Sequence, residues 1–224
     1  DEDEESEEED EESEEEEDEE SEEEEEEEEE SPSMVEKLKS HLDSYKINHK
    51  QCIMNEKTLK DAHIYCVVNR ISSQKYGLFL EDYIINKYKY SRNLKKECNG
   101  DCRGRGKNIE IKVSLGGSCH SKFNFVQIRP SHTCDLYILT AYHLSYDNLN
   151  EHGEMFIFMI PQENIKKIIL KYGSYAHGTL GKLGIITIDD LNDKNNNNEY
   201  SLRMTFNSPR WHELLVYRIS ESEL

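Results

Sequence analysis

The sequence predicts an α+β domain of mixed α/β character, a central mixed β-sheet flanked by helices. Three observations carry this expectation. Apolar residues recur at helical spacing early in the folded part. Runs of strand length, either alternating or continuously apolar, fill the middle. Helical spacing then returns after each of two prolines, Pro161 and Pro209.

The elements follow in chain order. The first 30 of the 224 residues are 27 acids and three serines. Such a segment cannot bury enough apolar surface to offset the entropy of ordering, so residues 1–33 read as a disordered acidic tail and 34–224 as a single domain. The chain begins with Asp1, and Met34 stands where the folded part begins, which fits a processed product or a fragment. Residues 34 to about 46 place Val35, Leu38, Leu42 and Tyr45 at helical spacing. Leu59, Ala62, Cys66 and Ile71 suggest a second helix. Residues 76–88 put Phe79, Leu80, Tyr83, Ile84 and Ile85 on a broad apolar face, with Glu81 among them. The reading then switches to strands: a short one over 94–102, an amphipathic one over 109–115 and a third through Phe123, Phe125 and Ile128. "DLYILTA" at 135–141 and "MFIFMI" at 155–160 are continuous apolar runs of buried-strand length. Pro161 opens a helix through Lys171, since proline fits the first helical turn. "YGSYAHGTLGKLG" is a Gly-rich loop, "NDKNNNNE" a polar low-complexity loop and "YSLRMTF" a last strand, before Pro209 starts a closing helix. There is no internal repeat.

The net charge of −21 hides two opposite parts. Of 48 acids, 27 lie in the tail, which leaves 21 acids against 27 bases in the body, a net of +6. A basic body suits a polyanionic partner. No secretory signal and no long apolar run is present, so a membrane span is not expected. The six cysteines read as free thiols of an intracellular protein, cytoplasmic or in the nucleoid or nucleus, and not secreted. Cys98 and Cys102, Cys119-His120, and His132 with Cys134 offer zinc-ligand types, but the spacing is not that of a usual knuckle, and zinc is not expected.

The chemistry concentrates in "NGDCRGRGKNIEIKVS", residues 99–114. Glu110 and Lys112 alternate with Ile109, Ile111 and Val113, so both point to one face of a strand. Asp101 lies nine residues before Glu110, and the Gly104-Arg105-Gly106 turn can fold the two segments into a hairpin. Two carboxylates brought together repel, and a divalent cation between them relieves the repulsion while using both as hard oxygen ligands. The Ile111 carbonyl can serve as a third ligand. Lys112 can then orient or deprotonate the attacking water and stabilise charge growing on a phosphate. Such a constellation suits metal-assisted phosphodiester hydrolysis. The competing structural account is a cross-strand salt bridge on an exposed sheet face. Around it, Arg103, Arg105 and Lys107 can contact phosphates or simply solvate a turn. In "YAHGT", His177 and Thr179 can reach base edges or merely complete a surface turn.

Asp101 followed by Glu110-Ile111-Lys112 on a hydrophobic strand resembles the PD-(D/E)xK nuclease superfamily, in particular the type II restriction endonucleases. No other acid in the chain has a lysine two residues later. "GLFLEDYI" is similar to the helix that precedes the hairpin in that superfamily, where an acid such as Glu81 completes the metal site. "FNFVQIR" is similar to the following segment, where Gln127 and Arg129 match polar residues near the active centre, and "DLYILTA" to the next core strand. The similarity runs from about Tyr76 to Phe206, with one departure: Gly100 stands where the motif carries proline. The resemblance implies a restriction-endonuclease-like core and sequence-specific cleavage of double-stranded DNA. It also implies Mg2+, with Mn2+ able to substitute, ends carrying 5′-phosphate and 3′-hydroxyl, and a homodimer acting on a palindromic site. The implied roles are metal binding for Asp101, Glu110, Ile111 and Glu81, water activation for Lys112, orientation for Gln127 and backbone contact for Arg129. The alternative is a non-catalytic nucleic-acid-binding or zinc-stabilised interaction protein. The discriminating observation is whether the Asp101 and Glu110 carboxylates converge.

Overall fold

The computed structural model describes residues 33–38, 47–94, 99–116, 121–144, 153–176 and 184–224. The chain divides into residues 1–47 and a compact unit, Asn48–Leu224. Within the first, residues 34–38 are helical and the rest of the expected first helix lies outside the described residues.

The compact unit opens with three helices, α1 (His49–Met54), α2 (Leu59–Val68) and α3 (Ser73–Lys87). Asn48 caps α1 by accepting from Gln51 N at 3.1 Å, and Thr58 caps α2 by accepting from Asp61 N at 3.1 Å. Strands β1 (Ser91–Arg92), β2 (Cys102–Gly104), β3 (Lys107–Ser114), β4 (Lys122–Ile128), β5 (Leu136–His143) and β6 (Glu154–Pro161) follow. Helix α4 (Gln162–Tyr172), β7 (Ser174–Tyr175), α5 (Ile188–Asn192), β8 (Tyr200–Thr205), α6 (Pro209–Leu215) and β9 (Arg218–Ile219) complete the chain with a 3-10 turn at Glu221–Glu223.

Two sheets form. The larger has the order β1-β2-β3-β5-β6-β9, and the smaller β4-β8-β7. The larger is mixed: β3 and β5 run parallel, with Glu110 opposite Tyr137 and Lys112 opposite Leu139, while its other pairs are antiparallel. Period-2 alternation sorts the strand residues between two cores. Ile109, Ile111, Ile138 and Ile157 pack against Leu59, Leu80 and Ile84 of the first helices. Tyr137, Leu139, Phe156 and Phe158 pack with Phe123 and Phe125 of β4, Ile165 and Ile169 of α4, and Trp211 and Leu214 of α6. The result is the helix-flanked mixed sheet that the sequence predicts.

Several boundaries differ from expectation. The strand expected over 94–102 is not formed at residues 99–101, and residues 95–98 lie outside the described set; pairing is instead split between short β1 and β2. Pro161 closes β6 and stands at the N-cap of α4 instead of inside its first turn. Helix α5 forms just before the Asn-rich loop, opened by a capping box in which Thr187 N donates to Asp190 Oδ2 at 2.8 Å and Asp190 N donates to Thr187 Oγ1 at 3.2 Å. Helix α6 is followed by β9, so it does not end the chain.

Candidate active site

The candidate site begins with a turn. Arg105 and Gly106 have φ of +52° and +77°, the pair of positive values that a two-residue hairpin turn matching strand twist requires. The turn joins β2 to β3, but β2 pairs for only three residues, ending with Cys102 opposite Ile109. Beyond it Asp101 continues the ladder by itself. Its N–H donates to the Ile109 carbonyl at 2.8 Å, and its Oδ2 accepts from Ile111 N at 2.7 Å. The N–H and C=O of one strand residue face the same neighbour, so the Ile111 carbonyl points toward this same edge.

Gly100 makes the arrangement possible. Its φ is +79°, and a Cβ there would sit 2.6 Å from the Ile109 carbonyl oxygen and 2.9 Å from Cys134 Sγ. Proline, locked near a φ of about −65°, cannot take this conformation. The departure from the expected motif therefore has a steric cause.

Glu110 is only 2% exposed, and its Oε1 accepts from Lys112 Nζ at 2.5 Å. Lys112 Nζ also lies 3.9 Å from Asp101 Oδ2, so both carboxylates reach one ammonium. Burial pushes the Glu110 carboxyl above its ordinary pKa; Lys112 opposes this shift and Asp101 adds to it. Burial disfavours the Lys112 ammonium, but Glu110 and Asp101 outweigh it and hold its pKa above the usual lysine value. Glu81, on α3, is also raised, first by burial and then by the Asp101 charge. Its Oε1 accepts from Arg92 Nη1 at 2.7 Å, and the same guanidinium pairs with Asp82. Asp101 thus acts electrostatically on both Glu81 and Glu110.

The other expected residues divide. Arg129 follows β4; its charge favours the Glu110 carboxylate, while its guanidinium is paired with Glu199, the Nε at 3.0 Å. Gln127 sits in a bulge of β4 with φ +57°, exposed, and its side chain has no hydrogen-bond partner among the described residues. Arg103, Arg105 and Lys107 are exposed at the turn end of the hairpin. Arg103 and Arg105 line an open pocket of about 570 Å3 with Tyr88 and Tyr90. That end lies roughly 13 Å from Asp101 at about 3.3 Å per strand residue. His177 and Thr179 lie outside the described residues, as do Cys98, Cys119 and His120. Cys102 and Cys134 are buried free thiols, and burial pushes the Cys102 thiol up to about 12.

Two contributors, Arg92 and Glu199, escape the sequence reading, and two more, His132 and Cys134, enter it only as zinc-ligand types. Arg92 fixes Glu81, and Glu199 holds Arg129 from 70 residues away. Cys134 Sγ lies 4.0 Å from Glu110 Oε2. His132 has a buried Nδ1 with no hydrogen-bond partner among the described residues, and burial together with the Arg129 and Lys112 charges lowers its pKa. Its loop is fixed by Gln162 Nε2, which donates to the Pro130 and His132 carbonyls at 3.1 and 2.8 Å. Of the pairings, the Arg92 contact had a local signal, a cation eleven residues after Glu81, whereas the Arg129–Glu199 pair had none.

No group of three or more His, Cys, Asp or Glu is arranged to hold a metal among the described residues. The donors at hand are the Asp101 and Glu110 carboxylates and the Ile111 carbonyl, all hard oxygens of the kind Mg2+ takes. Two carboxylates around a single ammonium, one with its charged form disfavoured by burial, also fit a site that a cation completes. In comparisons with known proteins, no family model, curated protein or solved structure matches this chain.

Proposed function

We propose that the chain is a metal-dependent DNA endonuclease that hydrolyses phosphodiester bonds, cutting both strands at a specific sequence in the manner of type II restriction enzymes. The observation that carries this reading is the convergence of Asp101 and Glu110 on Lys112, with Asp101 anchored to Ile111 N. Asp101, Glu110 and the Ile111 carbonyl would hold Mg2+, or Mn2+ in its place, with Glu81 as an outer ligand. The bound cation would polarise the phosphate and lower the cost of forming hydroxide. Lys112 donates hydrogen bonds to the attacking water and to the phosphate oxygen where charge grows. Gln127, Arg129, Arg103, Arg105, Lys107, His177 and Thr179 are assigned to orientation and to contacts with the duplex. A homodimer would match a two-fold symmetric site. No helix among the described residues is long and apolar enough to cross a membrane. An intracellular location is part of the same proposal.

The test is incubation of the full chain with supercoiled plasmid in Mg2+, in Mn2+ and in chelator. Discrete linear fragments that need the metal and vanish in Asp101→Asn are expected. Cleavage that persists in chelator, or at the wild-type rate in Asp101→Asn, would refute the assignment.

A further inference from the structure

The smaller sheet carries a cationic surface that the proposed chemistry does not use. Lys122 and Asn124 alternate outward on β4, and Arg203 and Thr205 on β8, with Asn124 opposite Arg203 and Lys122 opposite Thr205. Arg210, at the start of α6, donates to the Arg203 carbonyl at 3.2 Å, and its guanidinium lies 5.5 Å from the centre of the Tyr172 ring. These residues line a pocket of about 540 Å3. Arg92, Arg129 and Arg218 each pair with a carboxylate. Lys122, Arg203 and Arg210 have no such partner among the described residues, and the nearby Glu213 carboxylate is occupied by Lys171 and by the Tyr172 hydroxyl at 2.6 Å. Three cations around one cavity repel one another unless an anion enters.

We propose that this pocket binds the phosphate backbone of duplex nucleic acid and that the exposed row of β4 guides that backbone to the candidate active site. The inference rests on the nuclease reading and names where its substrate lies. Strand β4 starts at the pocket with Lys122 and ends at Ile128, next to Arg129, whose charge acts on Glu110. Six fully extended strand steps would span roughly 20 Å, an upper limit because the bulge at Gln127 shortens β4. Phosphates of one strand repeat about every 3.4 Å along the axis. The pocket would therefore engage a phosphate no more than about six nucleotides from the one beside Arg129. Asn124 and Gln127 lie exposed between the two ends and are able to donate to phosphate oxygens on the way.

The experiment measures equilibrium binding of the full chain to a labelled 24-bp duplex in chelator, from 50 to 200 mM salt. Three proteins are compared: wild type, the pocket variant Lys122→Ala/Arg203→Ala/Arg210→Ala, and a control with equal charge loss, Lys57→Ala/Lys60→Ala/Lys75→Ala, on the turn before α2 and on α2 and α3, the helices that cover the opposite face of the larger sheet. The slope of log K against log salt should fall by roughly 2–3 in the pocket variant and by less than 1 in the control, since each lost phosphate contact removes about 0.9. Lys122→Ala alone, at an exposed position, should lower it by about 0.9 and guards against misfolding of the triple variant. Equal slopes in pocket variant and wild type, or equal falls in pocket variant and control, would overturn the pocket while leaving the nuclease reading intact. A wild-type chain that binds no duplex at any salt would likewise overturn the pocket, while the nuclease reading is judged by the metal-dependent plasmid cleavage.

Discussion

Lys112 has two accounts, and they separate by experiment. As a buried ion pair, Glu110 and Lys112 are a structural element whose replacement by apolar residues is close to neutral, whereas removing one partner strands a charge and costs about 3–5 kcal/mol. As a catalytic group, Lys112 contributes roughly 10²–10⁴-fold in rate. Lys112→Ala should therefore both destabilise the fold and abolish cleavage, while duplex binding survives below the melting range. Glu110→Leu/Lys112→Met should recover most of the stability, read by denaturant unfolding, and none of the cleavage. Single-turnover cleavage at the wild-type rate in either variant would leave only the structural account. His63 gives a second residue-scale prediction, independent of the site. It is fully buried with neither ring nitrogen partnered among the described residues, and burial lowers its pKa to about 3 from an ordinary 6.5. Between those values the unfolded chain binds a proton that the folded chain excludes. Stability from this group is complete above pH 6.5 and is lost as pH falls toward 3, at about 1.4 kcal/mol per pH unit. The stability of His63→Leu should fall less steeply than that of wild type between pH 7.5 and 5. Parallel pH profiles would show that the imidazole takes up its proton as readily in the fold as in the unfolded chain.

At the scale of elements, the hairpin β2–β3 and the loop that precedes β5 position the carboxylates. Strand β2 is too short to do this alone, and the Asp101 side chain supplies the next rung of the ladder. Gly100→Ala tests the dependence. A side chain at φ +79° costs about 1–2 kcal/mol in the left-handed region, and its Cβ meets a backbone oxygen that cannot swing aside. Loss of that order in unfolding free energy is expected, with a fall in metal-dependent cleavage larger than the fall in duplex binding. Wild-type stability would mean that the backbone relaxes there. The same hairpin shows how far sequence reasoning reaches. Ile109, Ile111 and Val113 announce β3 by alternation, and Glu110 and Lys112 share a face as period 2 demands. The limits of β2 were not legible, because Asp101 substitutes a side-chain oxygen for a backbone one and no periodicity records that. Nor was the Arg129–Glu199 pair legible, since it joins residues 70 apart through the pairing of β4 with β8. Local pattern specifies elements; which charges meet is decided by topology.

At the scale of the whole molecule, charge is divided between two parts. The body carries a net +6 and the first 30 residues carry 27 acids, so the full chain stands at −21. A polyanionic duplex approaching the basic body must also approach a tethered polyanion, whose field opposes it. The opposition is long-ranged at low salt and is screened within about 8–10 Å at physiological ionic strength. Two measurements separate this effect from the chemistry. Deleting residues 1–30 should tighten nonspecific duplex binding, most at 50 mM salt and progressively less toward 200 mM. It should leave the single-turnover rate of a bound cognate duplex unchanged, because the proposed chemistry draws on Asp101, Glu110 and Lys112 of the body. Affinities that coincide for full-length and shortened chains across the whole salt range would show that the acidic segment only solvates the protein. A changed single-turnover rate would instead mean that the segment acts on the site itself.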